Sequence, residues 1–331
     1  MTIPTTRLGV TGLTVSRLAL GTMTFGLQTE EDESRAILDA AAEAGITLID
    51  TADVYPLGGG PATAGRTEEI VGRWLAGRRD RVLVATKAVG NVGPSPWDRG
   101  SSRKHLLDAI DASLRRLGTD HVDLYQLHSD DAATPLEETL EALDTIVRSG
   151  RARYVGVSNF LAYRLARAVG IAEARRLARP VSVQPRYNLV FREIERELLP
   201  LAVEEGLGVL PYNPLAGGLL TGKHHRGEPT GGTRFTLGRA AERYQERYWH
   251  DEHFDTVDEL TKLAADTGIA LTTLAVRWVL ANPAVTAPII GASRADQLPA
   301  VLAAVDEPLD AGLHARLDEL TAPWRRGDAA R

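Results

Sequence analysis

Four polar residues stand at or just beyond the ends of consecutive apolar runs. Asp50 closes Thr47-Leu48-Ile49-Asp50, and Tyr55 follows five residues later. Lys87 closes Val84-Ala85-Thr86-Lys87, and His128 closes Leu124-Tyr125-Gln126-Leu127-His128. Taken singly, a charged residue after an apolar run marks only where a strand reaches solvent. Together they suit one task, the stabilisation of alkoxide charge developing on a carbonyl oxygen. Tyrosine, with an unperturbed pKa of about 10, is a weak acid unless a cation favours its phenolate. Lys87 is the natural cation, Asp50 would keep it charged and oriented, and His128 can hydrogen-bond the carbonyl oxygen or assist the proton relay.

The elements that must bring these residues together are short apolar runs alternating with amphipathic segments. The runs are 17–20, 47–49, 82–86, 122–127, 154–157, 181–184, 208–210 and 287–289. Helical periodicity covers 31–44, 67–76, 103–117, 136–149, 161–176, 192–205, 254–280 and 295–304. Ser101-Ser102 and Pro135 mark helix starts, and Gly45, Gly118, Gly150 and Gly206 mark helix ends. Eight strands, each followed by a helix, predict an α/β chain with a parallel sheet, and eight is the number that closes a (β/α)8 TIM barrel. A doubly wound open sheet is the competitor. A leading hairpin (6–10 against 13–16) would plug the bottom, and 312–322 would be an extra C-terminal helix. No composition shift divides the chain, so 1–331 is expected to be a single domain. Three loops, 54–66, 88–101 and 213–252, follow strands and belong on the C-terminal face, where barrels place their sites.

Composition narrows the rest. The 331 residues carry 38 Lys+Arg against 44 Asp+Glu, a formal charge of −6, which offers no general attraction to nucleic acid or anionic lipid. With no Cys there is no disulfide, thiolate nucleophile or cysteine-ligated metal. No apolar run is long enough to span a membrane, and the N-terminus lacks the layout of a signal peptide, so a cytoplasmic location is expected. A G-x-G-x-x-G fingerprint is absent, and Gly58-Gly59-Gly60 lacks the strand–turn–helix context. Gly217–His224 has P-loop spacing but ends in His224, where a hydroxyl is needed for Mg²⁺. His224-His225 and His250-x-x-His253 lack matching carboxylates and read as exposed loop histidines; no metal site is expected.

The chain resembles the aldo-keto reductase superfamily over roughly 6–305. The matching segments are LGTMTFG (20–26), LIDTADVY (48–55), ATK (85–87), SLRRLGTDHVDLYQLH (113–128), YVGVSNF (154–160), SVQPRYN (182–188), LPYNPLAGGLLTGK (210–223) and PIIGASRADQL (288–298). The variants look most like branches that include bacterial reductases and the β subunits of potassium channels. The resemblance implies a (β/α)8 barrel, reversible carbonyl reduction by NADPH, and a catalytic tetrad of Asp50, Tyr55, Lys87 and His128.

It also implies the cofactor's contacts. Ser158, Asn159 and Gln184 would hold the nicotinamide carboxamide, and Tyr212 would stack on its ring. The loop Asn213, Pro214, Leu215, Ala216 and Gly217 would wrap the pyrophosphate through backbone N–H groups, with charge from Lys223 and Arg234. Thr22, Met23 and Gln28 border cofactor or substrate. Gly291, Ser293, Arg294 and Gln297 would surround the adenosine end, with Arg294 on a 2′-phosphate. Read without the motif, Asn159 is a turn residue, Gln184 a strand end and Tyr212 core. Relatives often carry Trp at the position of Met23 and Glu-Asn at Ala300-Val301, so pocket shape and cofactor affinity are open here.

The expected partner is a small-molecule carbonyl substrate in a pocket shaped by Met23, Tyr55, Trp97 and His128. Neither nucleic acid nor membrane is expected, and a homo-oligomer is possible. A second class of function is a cofactor-binding regulatory or scaffold subunit like the channel β subunits. The intact tetrad favours the enzyme.

Overall fold

The computed structural model describes residues 3–238 and 240–326. A hairpin opens it, β1 (Thr5–Arg7) antiparallel to β2 (Thr14–Ser16). Eight parallel strands follow: β3 (Ala19–Gly21), β4 (Leu48–Asp50), β5 (Leu83–Ala88), β6 (Val122–Leu127), β7 (Ala152–Ser158), β8 (Pro180–Gln184), β9 (Gly208–Val209) and β10 (Ile289–Ile290). They lie side by side in the order β10-β3-β4-β5-β6-β7-β8-β9. The two edges then meet. Thr286 and Ala287 donate their amides to the Val209 carbonyl at 2.9 and 3.3 Å, and Ile289 donates to Pro211 at 2.8 Å. Those bonds close the sheet into a (β/α)8 barrel, so the open sheet falls away.

Helices α1 (Glu31–Glu43), α2 (Arg66–Leu75), α3 (Arg103–Leu117), α4 (Leu136–Arg148), α5 (Ala162–Arg175) and α6 (Leu198–Glu204) fill the crossovers. Their apolar stripes and the outward faces of the strands form the larger core. The α3 boundaries agree with the sequence because both caps are strong. Ser102 accepts the His105 amide at its start, and Gly118 takes the left-handed conformation at its end.

Three expectations need correction. The 192–205 segment opens as a 3₁₀ turn at Glu193–Glu195 and becomes α-helical only at α6. The long 254–280 pattern is two helices, α8 (Asp251–Thr267) and α9 (Leu271–Ala281), bent by 98° after Gly268, whose φ of +68° ends the first. The 213–252 stretch is not all loop, since it holds α7 (Ala240–Tyr248). Beyond the barrel come the short α10 (Leu298–Leu302) and the terminal α11 (Ala311–Thr321). Among the described residues no single helix is long and apolar enough to cross a membrane.

Inside the barrel, pleat alternation decides the chemistry. The lower layer is apolar: Leu48, Ala85, Leu124, Leu210 and Ala287 pack on Leu8 and Val15 of the hairpin region, which plugs the bottom. Two residues further along three of these strands, on the same inward face, stand Asp50, Lys87 and Gln126. The barrel is therefore greasy below and polar at its C-terminal mouth.

Candidate active site

Lys87 is the centre of the polar layer. It is fully buried, and its ammonium donates to Asp50 Oδ2 at 2.6 Å, to the Thr51 carbonyl at 2.8 Å and to the Tyr55 hydroxyl at 3.4 Å. Three acceptors for three N–H donors leave no unsatisfied proton. The other Asp50 oxygen accepts from Gln184 at 2.9 Å and from Gln126 at 3.3 Å. Tyr55 sits in the turn after β4, and its ring meets His128 edge-on at 5.7 Å between centroids. His128 is fixed by its own amide, which donates to the Ala88 carbonyl at 2.8 Å. The four residues the sequence singled out thus form one cluster.

Their ionisation follows from burial. Burial works against the Lys87 ammonium, but the charge of Asp50 and the contact with Tyr55 outweigh it and hold the group above the ordinary lysine value. Burial raises the Tyr55 phenol; Lys87 pulls it down, while Asp50 pushes it up again. The sequence expectation stressed the cation, whereas here desolvation is larger and the phenol stays protonated well past neutrality. His128 is driven down to about 3 by burial, then by the Lys87 and Arg243 charges, so it is a neutral imidazole at pH 7.

Above the cluster opens a cavity of about 1290 Å³. Its wall includes Thr22, Met23 and Gln28, then Ser158, Asn159, Gln184 and Tyr212, and further out Lys223, Arg234, Gly291, Ser293, Arg294 and Gln297. Asn159 donates to the His128 carbonyl at 2.9 Å and accepts the Tyr212 hydroxyl at 2.8 Å, tying three strand ends together. Gln28 donates to the Gly232 carbonyl at 3.1 Å, so the loop at 230–234 reaches across the mouth. Gln297 accepts from the Ser293 amide at 3.0 Å. Arg294 is exposed and pairs with Asp296 at 3.1 Å. Lys223 is lowered by burial, then by the charges of Arg294 and Arg234, which marks a cluster of cations short of an anion. Val301 lines the cavity beside Ala300, whose carbonyl accepts from Thr273.

Several expectations do not hold. Asn213, Pro214, Leu215 and Gly217 border the cavity, but Ala216 is buried behind them. The amides of Ala216 and Gly217 are bound to the Asn213 carbonyl and side chain, and that of Gly218 to Leu215. Those N–H groups are spent inside the turn. Trp97 is 54% exposed and outside the cavity, because Val92 and Ser95 fold back onto Asp98 and turn the indole toward Lys104. His224 and His253 are buried, not exposed: His224 packs edge-on to Phe235 and Trp249, and His253 stacks on Trp324 at 4.1 Å.

Some site residues escaped the sequence reading. Gln126 precedes His128 by two positions, and strand alternation alone could have placed it inward. Arg243 and Arg247 reach the wall from α7. Tyr244 lines the cavity beside them, whereas Tyr248 is buried on Asn188 and Asn213.

A family model, the Aldo/keto reductase family, matches residues 17–322. The uncharacterized oxidoreductase YrpG of Bacillus subtilis (strain 168) is 42% identical over 323 residues, 95% of each chain. A probable voltage-gated potassium channel subunit beta of Arabidopsis thaliana is 38% identical over 90% of each chain. The L-glyceraldehyde 3-phosphate reductase of Escherichia coli (strain K12) is 36% identical over 88% of this chain and 84% of its own. A match of this extent, on a closed barrel with these residues at its mouth, leaves one assignment: the chain belongs to the aldo/keto reductase family, a family of oxidoreductases.

Proposed function

We propose that the protein reduces an aldehyde or ketone to an alcohol with NADPH. The observation that carries this reading is the buried Lys87 ammonium held between Asp50 and the Tyr55 hydroxyl, two residues that line a cavity large enough for a dinucleotide and a substrate. The cofactor fits the wall: Lys223, Arg234 and Arg294 supply charge for phosphates, Tyr212 a face for the nicotinamide, and Ser158, Asn159 and Gln184 polar groups for its carboxamide. NADPH supplies the hydride when bound. The chain's own residues handle the oxygen. Tyr55 donates its proton to it, Lys87 lowers the cost of the resulting phenolate, and Asp50 keeps Lys87 charged and aimed. Neutral His128 donates a hydrogen bond that polarises the carbonyl. A relative named for reduction of an aldehyde supports the reading.

A second reading, a cofactor-binding regulatory subunit, is supported by likeness to proteins named as channel β subunits. The complete Asp50–Tyr55–Lys87–His128 set favours the enzyme, since binding alone has no use for a buried proton donor. The test is a panel of carbonyl compounds followed by NADPH consumption, with Tyr55→Phe alongside. Turnover lost in Tyr55→Phe with NADPH binding retained is the expected result. Turnover that survives the substitution rules out Tyr55 as the acid.

A further inference from the structure

Helix α7 sets Arg243 and Arg247 one turn apart on the cavity wall. Like charges at this spacing weaken a helix, so the pair needs a reason. Neither has a carboxylate partner among the described residues, whereas Arg226 on a nearby loop pairs with both Asp255 and Asp258. Both act on the reacting end of the cavity. Arg243 helps depress His128, and Arg247 opposes the burial that raises the Tyr212 phenol. Among the residues of the wall the one carboxylate is Asp50, already held by Lys87. The same two arginines also line an adjoining cleft of about 490 Å³ together with Glu193, Glu246 and Glu252, none of which is ion-paired to them among the described residues. Two guanidiniums with no ion-pair partner among the described residues therefore stand on the wall of the cavity that holds Tyr55 and His128, in a chain whose net charge is −6.

We infer that the carbonyl substrate carries an anionic group, a carboxylate or a phosphate, which Arg243 and Arg247 grip while the carbonyl meets Tyr55 and His128. This rests on the carbonyl reductase reading above. Guanidinium is suited to the task because its planar fork matches both anions in a bidentate manner. Lys223, Arg234 and Arg294 are further cations on the wall of the same cavity, Arg234 donating to the Tyr244 hydroxyl of α7 at 3.4 Å.

The test compares paired aldehydes of similar size: 4-carboxybenzaldehyde with 4-methylbenzaldehyde, and glycolaldehyde phosphate with glycolaldehyde. The wild-type enzyme should favour the charged member of at least one pair, and which pair shows the larger ratio tells carboxylate from phosphate. In the double variant Arg243→Gln, Arg247→Gln the ratio of kcat/KM, charged over neutral, should fall roughly 10- to 100-fold, through KM and not kcat. Arg243→Lys with Arg247→Lys should recover part of it. A ratio near one in the wild type, or one untouched by the double variant, overturns the inference. Calorimetric binding of the same aldehydes in the presence of NADP⁺ gives a readout independent of turnover. If no aldehyde is reduced yet the charged ones bind to wild type and not to the Gln variant, the anion site stands and the reductase reading falls. If neither turnover nor selective binding is found, both fall.

Discussion

Lys87 shows how much one buried residue can carry. Its three hydrogen bonds fix Asp50, the Thr51 carbonyl and Tyr55 in one arrangement, and removing the ammonium leaves the Asp50 charge without its cation. Lys87→Met should therefore lower kcat at least ~100-fold, the usual scale for losing assistance to proton transfer. The alkaline limb of the rate profile should also move to higher pH, because the phenol loses the one neighbour that pulls it down. An unchanged limb would mean that Lys87 only supports the fold. Asp50, Lys87 and His128 were legible in the sequence because each stands at or just beyond the end of a strand, where a period of two settles which way a side chain faces, whereas Tyr55, in the turn after β4, was found through the segment LIDTADVY. Trp97 was not, because its direction depends on Asp98 folding the loop back, a contact that no periodicity announces. The buried histidines were missed for a like reason: His253 is covered by the remote Trp324, and His224 by Phe235 and Trp249 of a stretch that reads as loop.

At the scale of elements, the turn after β9 and helix α7 depend on each other. Gly217 has a φ of +73°, and a Cβ there would come within 2.7 Å of the Tyr244 ring. Gly217→Ala should thus cost about 1–2 kcal/mol of backbone strain and also push α7, with its arginines, off the cavity wall. Weaker NADPH binding and a raised KM, in a protein that still folds, are the expected outcome, measured by fluorescence titration and steady-state kinetics. Retained affinity would show that α7 moves independently of the turn. The helix itself was hidden in the sequence. Its buried positions Ala240, Tyr244 and Tyr248 have helical spacing, but Gly227, Gly231, Gly232 and Gly238 just before it disguise the stretch as loop. By contrast α3 was readable to the residue, since Ser102 and Gly118 punctuate it at both ends.

For the whole molecule, burial of histidines sets the response to acid. His128 is lowered to about 3, and His224 and His253 to about 4, in each case first by burial. Unfolded histidine titrates near ~6.5, so between about 6.5 and 4 the unfolded chain binds protons that the folded one refuses. Stability should be level above this window and should fall as pH drops through it. Thermal melts at stepped pH would check the slope, and His253→Phe, which keeps an aromatic ring against Trp324, should make it shallower. A slope identical to wild type would show that His253 gains no proton on unfolding.

The closure of the barrel has a kinetic side. β9 and β10, which flank the seam, are two residues long each, whereas β5 and β6 have six and β7 seven. The seam is accordingly where the ring has the least to open, and amides at Thr286, Ala287 and Ile289 should exchange with deuterium sooner than those inside β6. The cavity wall, however, takes Tyr212 to Leu215 and Gly217 from one lip of this seam and Ile289 to Ser293 from the other. A dinucleotide lying across both lips would act as a staple. Adding NADPH should slow exchange at the seam selectively, with the plugged bottom of the barrel scarcely changed, so that occupancy of the site could be read from the pulse of deuterium uptake without any turnover.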